Sequence, residues 1–209
     1  MTYILMFSLG IIIGFIINLS TDYEKCIDTD RLKWFIGYVY KKPQYIAIML
    51  LTPLAFMLVY HKSQTNLEVI RYCILYILLE ASSMKDYRER LISNKLIIAG
   101  IVLGLAAAAL DADSTRIIQS VIAFIAIGLI MSLVTFATRG GVGMGDTKLI
   151  AVSSLYIELV GMVSVMFYSL VLSGITGIIL LILKRANLKS RIPFAPFLAL
   201  GFLIYLLLL

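Results

Sequence analysis

Apolar residues run along this chain in long blocks, and charge is confined to short clusters between them. Inside the blocks nothing alternates apolar with polar as a half-buried strand or a barrel wall does, so the pattern predicts helices. A helix needs roughly 17 to 25 such residues to cross a ~30 Å hydrocarbon layer. About eight spans are predicted, at 3–19, 44–60, 66–84, 94–111, 116–137, 146–159, 163–183 and 193–209. The first has the length of a secretory signal, but no basic residue opens it and no small-residue cleavage site follows. It is read as a retained span.

Composition sharpens that picture. With 61% hydrophobic and 14% charged residues and a mean hydropathy of +1.00, the chain holds more apolar surface than one water-soluble domain can hide. The predicted fold class is all-α, a polytopic integral membrane protein with about eight transmembrane helices forming one membrane domain over 1–209. The one sizeable polar piece, the loop 20–43, is too short for a core of its own. Within it Lys33 to Lys42 mixes aromatics with lysines, a composition suited to the lipid headgroup level. Cys26 and Cys73 show no Cys-x-x-Cys spacing, so neither a zinc site nor a disulfide framework is expected. No internal repeat suggests an inverted-repeat transporter.

The distribution of charge says more than the net +6. Lys25, Arg31, Lys33, Lys41 and Lys42 follow the first span, and Lys85, Arg88, Arg90 and Lys95 follow the third. Arg139 and Lys148 flank the gap before the sixth, and Lys184, Arg185, Lys189 and Arg191 follow the seventh. The intervening loops carry only Lys62 and Arg116, with Arg71 set inside the third span. By the positive-inside rule the first set is cytoplasmic, both termini lie outside, and the number of spans is even. The basic balance thus speaks for membrane lipid as the partner and not for nucleic acid.

On this topology two aspartates fall at cytoplasmic span ends, Asp86 after the third and Asp146 at the start of the sixth. Ionisable residues at such places are costly and mark candidate functional sites. Two adjacent carboxyl groups cannot both ionise, so such a pair holds one proton and offers a base and an acid together. That suffices to hydrolyse a peptide bond without metal or cofactor. Asp146 follows a glycine-rich turn in which Gly143 and Gly145 permit positive φ and close approach of a substrate or of the helix bearing Asp86. Its place at a helix amino end favours the charged form. The plain alternative is an aspartate N-cap at residue 146 and a solvated charge at 86 among Lys85, Arg88, Glu89 and Arg90.

Gly143-Met144-Gly145-Asp146 followed by Lys148-Leu149 resembles the Gly-x-Gly-Asp motif of the type IV prepilin leader peptidases, membrane aspartic proteases of bacteria with archaeal relatives. Asp86 to Asn94, with Ile92-Ser93-Asn94, is similar to that family's first catalytic segment, an Asp followed by Ile-Pro-Asn or Ile-Pro-Asp. Ile192 to Gly201 resembles its last-helix signature, Gly14 to Asn18 its first-helix Gly-Ser-Phe-x-Asn, and Lys42-Pro43 the Arg-Tyr-Pro before its second helix. These segments occur in matching order over most of the chain.

The resemblance implies an aspartic endopeptidase that cleaves short basic leaders from prepilins or pseudopilins after a glycine, at the cytoplasmic face of a bacterial plasma membrane. Asp86 and Asp146 are then catalytic, with either assignment of base and acid open, and Gly143, Gly145 and Lys148 shape the site. The expected partner is the substrate's hydrophobic helix, and nothing speaks to oligomeric state. Ser93 departs from the family's proline, and the serine of the first-helix motif is missing. Bifunctional members carry a cytoplasmic domain with paired zinc motifs between their first helices, linked to N-methylation. Here that interval holds one cysteine, so peptidase activity without methyl transfer is expected. The competing reading is a non-catalytic polytopic protein, a small transporter or secretion-complex subunit, whose aspartates bind a cation or a partner helix. Glu80 and Glu158 are read as structural carboxylates and His61 as a surface residue.

Overall fold

The structure, a computed structural model, describes residues 1–22, 43–110, 114–138, 141–185, 187, 190 and 192–209. The basic aromatic stretch 33–42, Cys26, Arg139, Lys189 and Arg191 lie outside these residues. Among the described residues every regular element is an α-helix, as the apolar blocks predict: α1 (Thr2–Asp22), α2 (Pro43–Lys62), α3 (Asn66–Glu89), α4 (Asn94–Ala109), α5 (Ser114–Ala137), α6 (Met144–Ser153), α7 (Leu159–Ile182) and α8 (Ala195–Leu208). α1, α2, α5 and α7 are long and apolar enough to cross a membrane. The chain is an all-α polytopic membrane protein.

Residues Met1–Ser63 form one compact unit. Its two helices pack antiparallel, because Tyr3 at the start of α1 meets Tyr60 edge-on at 4.9 Å and His61 Nδ1 at 3.2 Å. Gly10 lies against Pro53 and Gly14 against Thr52. Two glycines four apart let the backbones approach closely, a device suited to lipid, where dispersion packing replaces the hydrophobic effect. Asn18, buried in α1, donates from Nδ2 to the Tyr45 carbonyl at 3.3 Å.

Residues Gln64–Leu209 form the second unit. α3 opens with a reciprocal cap: Thr65 Oγ1 accepts from the Glu68 N–H at 3.2 Å, and Glu68 Oε2 accepts from the Gln64 N–H at 2.7 Å. It packs on α4 and α8, α8 also packs on α7, and α6 sits between α4 and α5. Leu75, Leu79, Leu149, Ile150, Leu155 and Phe202 are buried between these helices. The outward residues of α5, such as Ile122, Leu129 and Leu133, stay exposed. A helix apolar all round suits a lipid surround.

The sixth block departs from expectation. It spans 146–159 by composition, but its helix stops at Ser153. Ser153 Oγ bonds back to the Leu149 carbonyl at 2.7 Å and Ser154 Oγ to that of Ala151 at 2.6 Å, while Tyr156 Oη donates to the Gly100 carbonyl at 2.6 Å. Side-chain bonds to nearby carbonyls offer the backbone an alternative to the helical ladder. At 10 residues α6 rises only about 15 Å, half a bilayer core. α8 is likewise short, 14 residues, because Pro193 and Pro196 fix its start.

Candidate active site

Asp86 occupies the last turn of α3, which ends when Arg90 turns left-handed (φ 54°, ψ 33°) and returns its N–H to the Asp86 carbonyl at 2.9 Å. Asp86 is 7% exposed. A carboxylate there faces the negative end of its own helix dipole. A compensating donor arrives from far along the chain: the Ala195 N–H bonds Asp86 Oδ2 at 3.1 Å. Ala195 is the first residue of α8, and first-turn N–H groups have no partner within their helix.

Asp146 is the third residue of α6, capped by Gly143 with φ −66° and ψ 137°. Burial first, and the negative charge of Asp86 second, push its carboxyl up to about 6. The helix dipole was expected to favour its charged form, but loss of water and a like charge outweigh a helix terminus of ordinary strength. The second cause also means that Asp86 and Asp146, 60 positions apart, are brought within electrostatic reach of one another.

The glycines act otherwise than by positive φ. Gly143 is extended with negative φ and Gly145 is helical. What each supplies is the missing Cβ: one at Gly143 would stand 2.9 Å from Asp146 Oδ2, and one at Gly145 would stand 3.2 Å from Ile92 Cβ. Gly143 thus leaves room for the carboxyl itself, and Gly145 lets α6 settle on the turn just past Asp86. Lys148 reaches Asn94 Oδ1 at 3.2 Å and so ties the second turn of α6 to the first residue of α4. Ser93, at the family's proline position, has φ −69° and ψ 125°. Proline would adopt the same φ, so the departure leaves the turn unchanged.

A model of the type IV leader peptidase family matches residues 73–182, more than half of the chain. The chain belongs to the type IV leader peptidase family. Asp86 and Asp146 both fall within the matched segment. The "Prepilin leader peptidase/N-methyltransferase" of Bacillus subtilis (strain 168) is 27% identical over 136 residues, 65% of this chain and 54% of that protein. The chain thus spans about half the length of the curated relative it matches. No solved structure matches it.

Among features that sequence reasoning missed, the Ala195 N–H is a backbone group and leaves no residue-type signal. A second is the buried contact of Thr135 Oγ1 with Thr147 Oγ1 at 2.7 Å, which fastens α5 to the residue after Asp146. Glu80 is buried and hydrogen-bonds Tyr76 one turn earlier on α3, while Glu158 is exposed and stands at the N-cap position of α7 without a side-chain cap bond. A small polar cavity lined by Glu68, Arg71, Arg116, Gln119, Ser120 and Glu158 lies around the first turns of α3 and α5. It lies at the opposite end of α3 from Asp86 and contributes nothing to the pair.

The raised Asp146 carboxyl has a consequence for stability. Its neutral form is the one the fold favours, so its contribution is complete below the usual value of 3.8 and is lost as pH rises through about 6. Asp146→Asn should therefore stabilise the protein at pH 7.5 by about 1 kcal/mol, after discounting for the solvent reaching this half-buried group, and not at all near pH ~3.5. Thermal unfolding in detergent at the two pH values measures this. A gain of equal size at both would show that Asp146 is not held neutral.

Proposed function

We propose that this chain is an aspartic endopeptidase that removes short basic leader peptides from type IV prepilins or pseudopilins at the cytoplasmic membrane face. The observation carrying this reading is the coupling of Asp86 and Asp146, two carboxyl groups at the ends of separate helices inside the segment that matches the leader peptidase family. A pair holding one proton provides a base for water and an acid for the departing amine. Both groups lie at one end of their helices, where a cut just before a substrate's hydrophobic helix is within reach. The basic clusters after α3 and α7 support the cytoplasmic orientation. The interval 20–43, with Cys26 as its single cysteine, supports peptidase activity without methyl transfer.

One experiment tests orientation and chemistry together. Inside-out membrane vesicles containing the protein should cut an added prepilin after the glycine preceding its hydrophobic helix, and sealed right-side-out vesicles should not. The new amino terminus should stay unmethylated when a methyl donor is supplied. Cutting only in right-side-out vesicles would reverse the orientation, a methylated product would assign the second activity, and an uncut substrate in both would remove the peptidase reading.

A further inference from the structure

The opening turn of α8 is arranged around one outward donor. Pro196 has no N–H, and Phe197 and Leu198 both give theirs to the Phe194 carbonyl, at 3.0 and 3.1 Å. The Ala195 N–H is directed to Asp86 Oδ2 instead, in a place where Ala195 is fully buried and Asp86 nearly so. A hydrogen bond to an ionised oxygen is about twice as strong as one to a neutral partner. The positive end of the α8 dipole acts in the same direction. No donor among the described residues reaches the Asp146 carboxyl in this way.

We propose that this turn belongs to the catalytic apparatus: the Ala195 N–H holds Asp86 as the carboxylate that takes a proton from water, which leaves Asp146 as the acid that gives one to the leaving nitrogen. The assignment rests on the peptidase reading above. Asp146, pushed up to about 6, is on this account the member that carries the shared proton. Among the described residues, the surrounding charges leave the asymmetry intact. α8 has no titratable side chain before Tyr205, α4 carries only the exposed Lys95, and on α6 Lys148 is engaged by Asn94. On α3 itself Lys85, Arg88 and Glu89 flank Asp86.

The steps balance. Asp86 takes a proton from water as the hydroxyl oxygen bonds the scissile carbonyl carbon, giving a tetrahedral oxyanion. Asp146 gives its proton to the nitrogen, the carbon–nitrogen bond breaks, and a carboxylic acid and a free amine separate. Asp86 is then protonated and Asp146 ionised, and one proton passing from Asp86 to Asp146 restores the resting pair. Ala195 is a positioning residue in this scheme, acting through Asp86.

The test uses the full chain in detergent and a prepilin whose scissile amide is replaced by an ester, since an alkoxide leaves without a protonated nitrogen. Asp146→Asn, which keeps the base, should hydrolyse the ester at least ~100-fold faster than Asp86→Asn, while both stay inactive on the amide. Equal rates, or the reverse order, overturn the assignment while leaving a working peptidase. A wild-type protein that cuts neither substrate overturns both readings. A second arm replaces the backbone amide at Ala195 by an ester and keeps its methyl group, which avoids the strain that Ala195→Pro would place on Phe194. The expected result is about a tenfold lower kcat, an unchanged KM, and an acidic limb of the pH profile moved to higher pH. A uniform loss at every pH, or no loss, overturns the role of Ala195.

Discussion

Asp86→Asn and Asp146→Asn should each lower prepilin cleavage by about 10³-fold or more, because each deletes one of the two carboxyl groups proposed to carry the chemistry while keeping the shape of the side chain. Asn can still accept the Ala195 N–H through its amide oxygen, so the bond to Asp86 Oδ2 at 3.1 Å has a substitute and the variant should remain folded and inserted. The double variant should be little worse than either single one, since groups acting as a unit are not additive. Asp→Glu at either place keeps the carboxyl but moves it by one methylene, and a displacement near 1 Å costs about 100-fold. Glu158→Gln, at an exposed helix cap, should keep most activity. Initial rates on a purified prepilin measure all of these. Near wild-type cleavage by either Asp→Asn protein would mean that the pair does not do the chemistry.

Gly143→Ala should lose about 100-fold in kcat with little change in stability. The backbone at Gly143, φ −66° and ψ 137°, is one that alanine adopts without strain. The added Cβ, however, would stand 2.9 Å from Asp146 Oδ2, so the carboxyl must swing away from the place it occupies. Gly145→Ala meets Ile92 Cβ at 3.2 Å, a contact that a shift of a few tenths of an ångström relieves, and a loss nearer tenfold is expected. The order of the two losses is the informative quantity. If Gly145→Ala were the more damaging, docking of α6 on the Ile92 turn would matter more than the freedom of the Asp146 carboxyl.

Both outcomes separate what is local in this chain from what is not. Helix content and membrane class were readable because apolar block length is a property of consecutive residues, and α1, α2, α5 and α7 follow it closely. The two aspartates stood out as candidates from their place beside span ends, and the Gly-x-Gly-Asp order marked Asp146 in particular. The length of α6 was not, because its end depends on Ser153 and Ser154 turning back on their own carbonyls and on Tyr156 reaching Gly100 on another helix. Nor was the direction of the Asp146 carboxyl. A helix start alone favours its ionised form, and only packing that removes water and brings Asp86 near reverses the sign. The donor to Asp86 comes from a backbone N–H 109 positions away, at a residue whose side chain is a methyl group. Sequence determined which groups were present and where the membrane lay along the chain. Tertiary structure decided that Asp86 comes within electrostatic reach of Asp146, because that depends on how separate helices pack and the order of residues does not encode it locally.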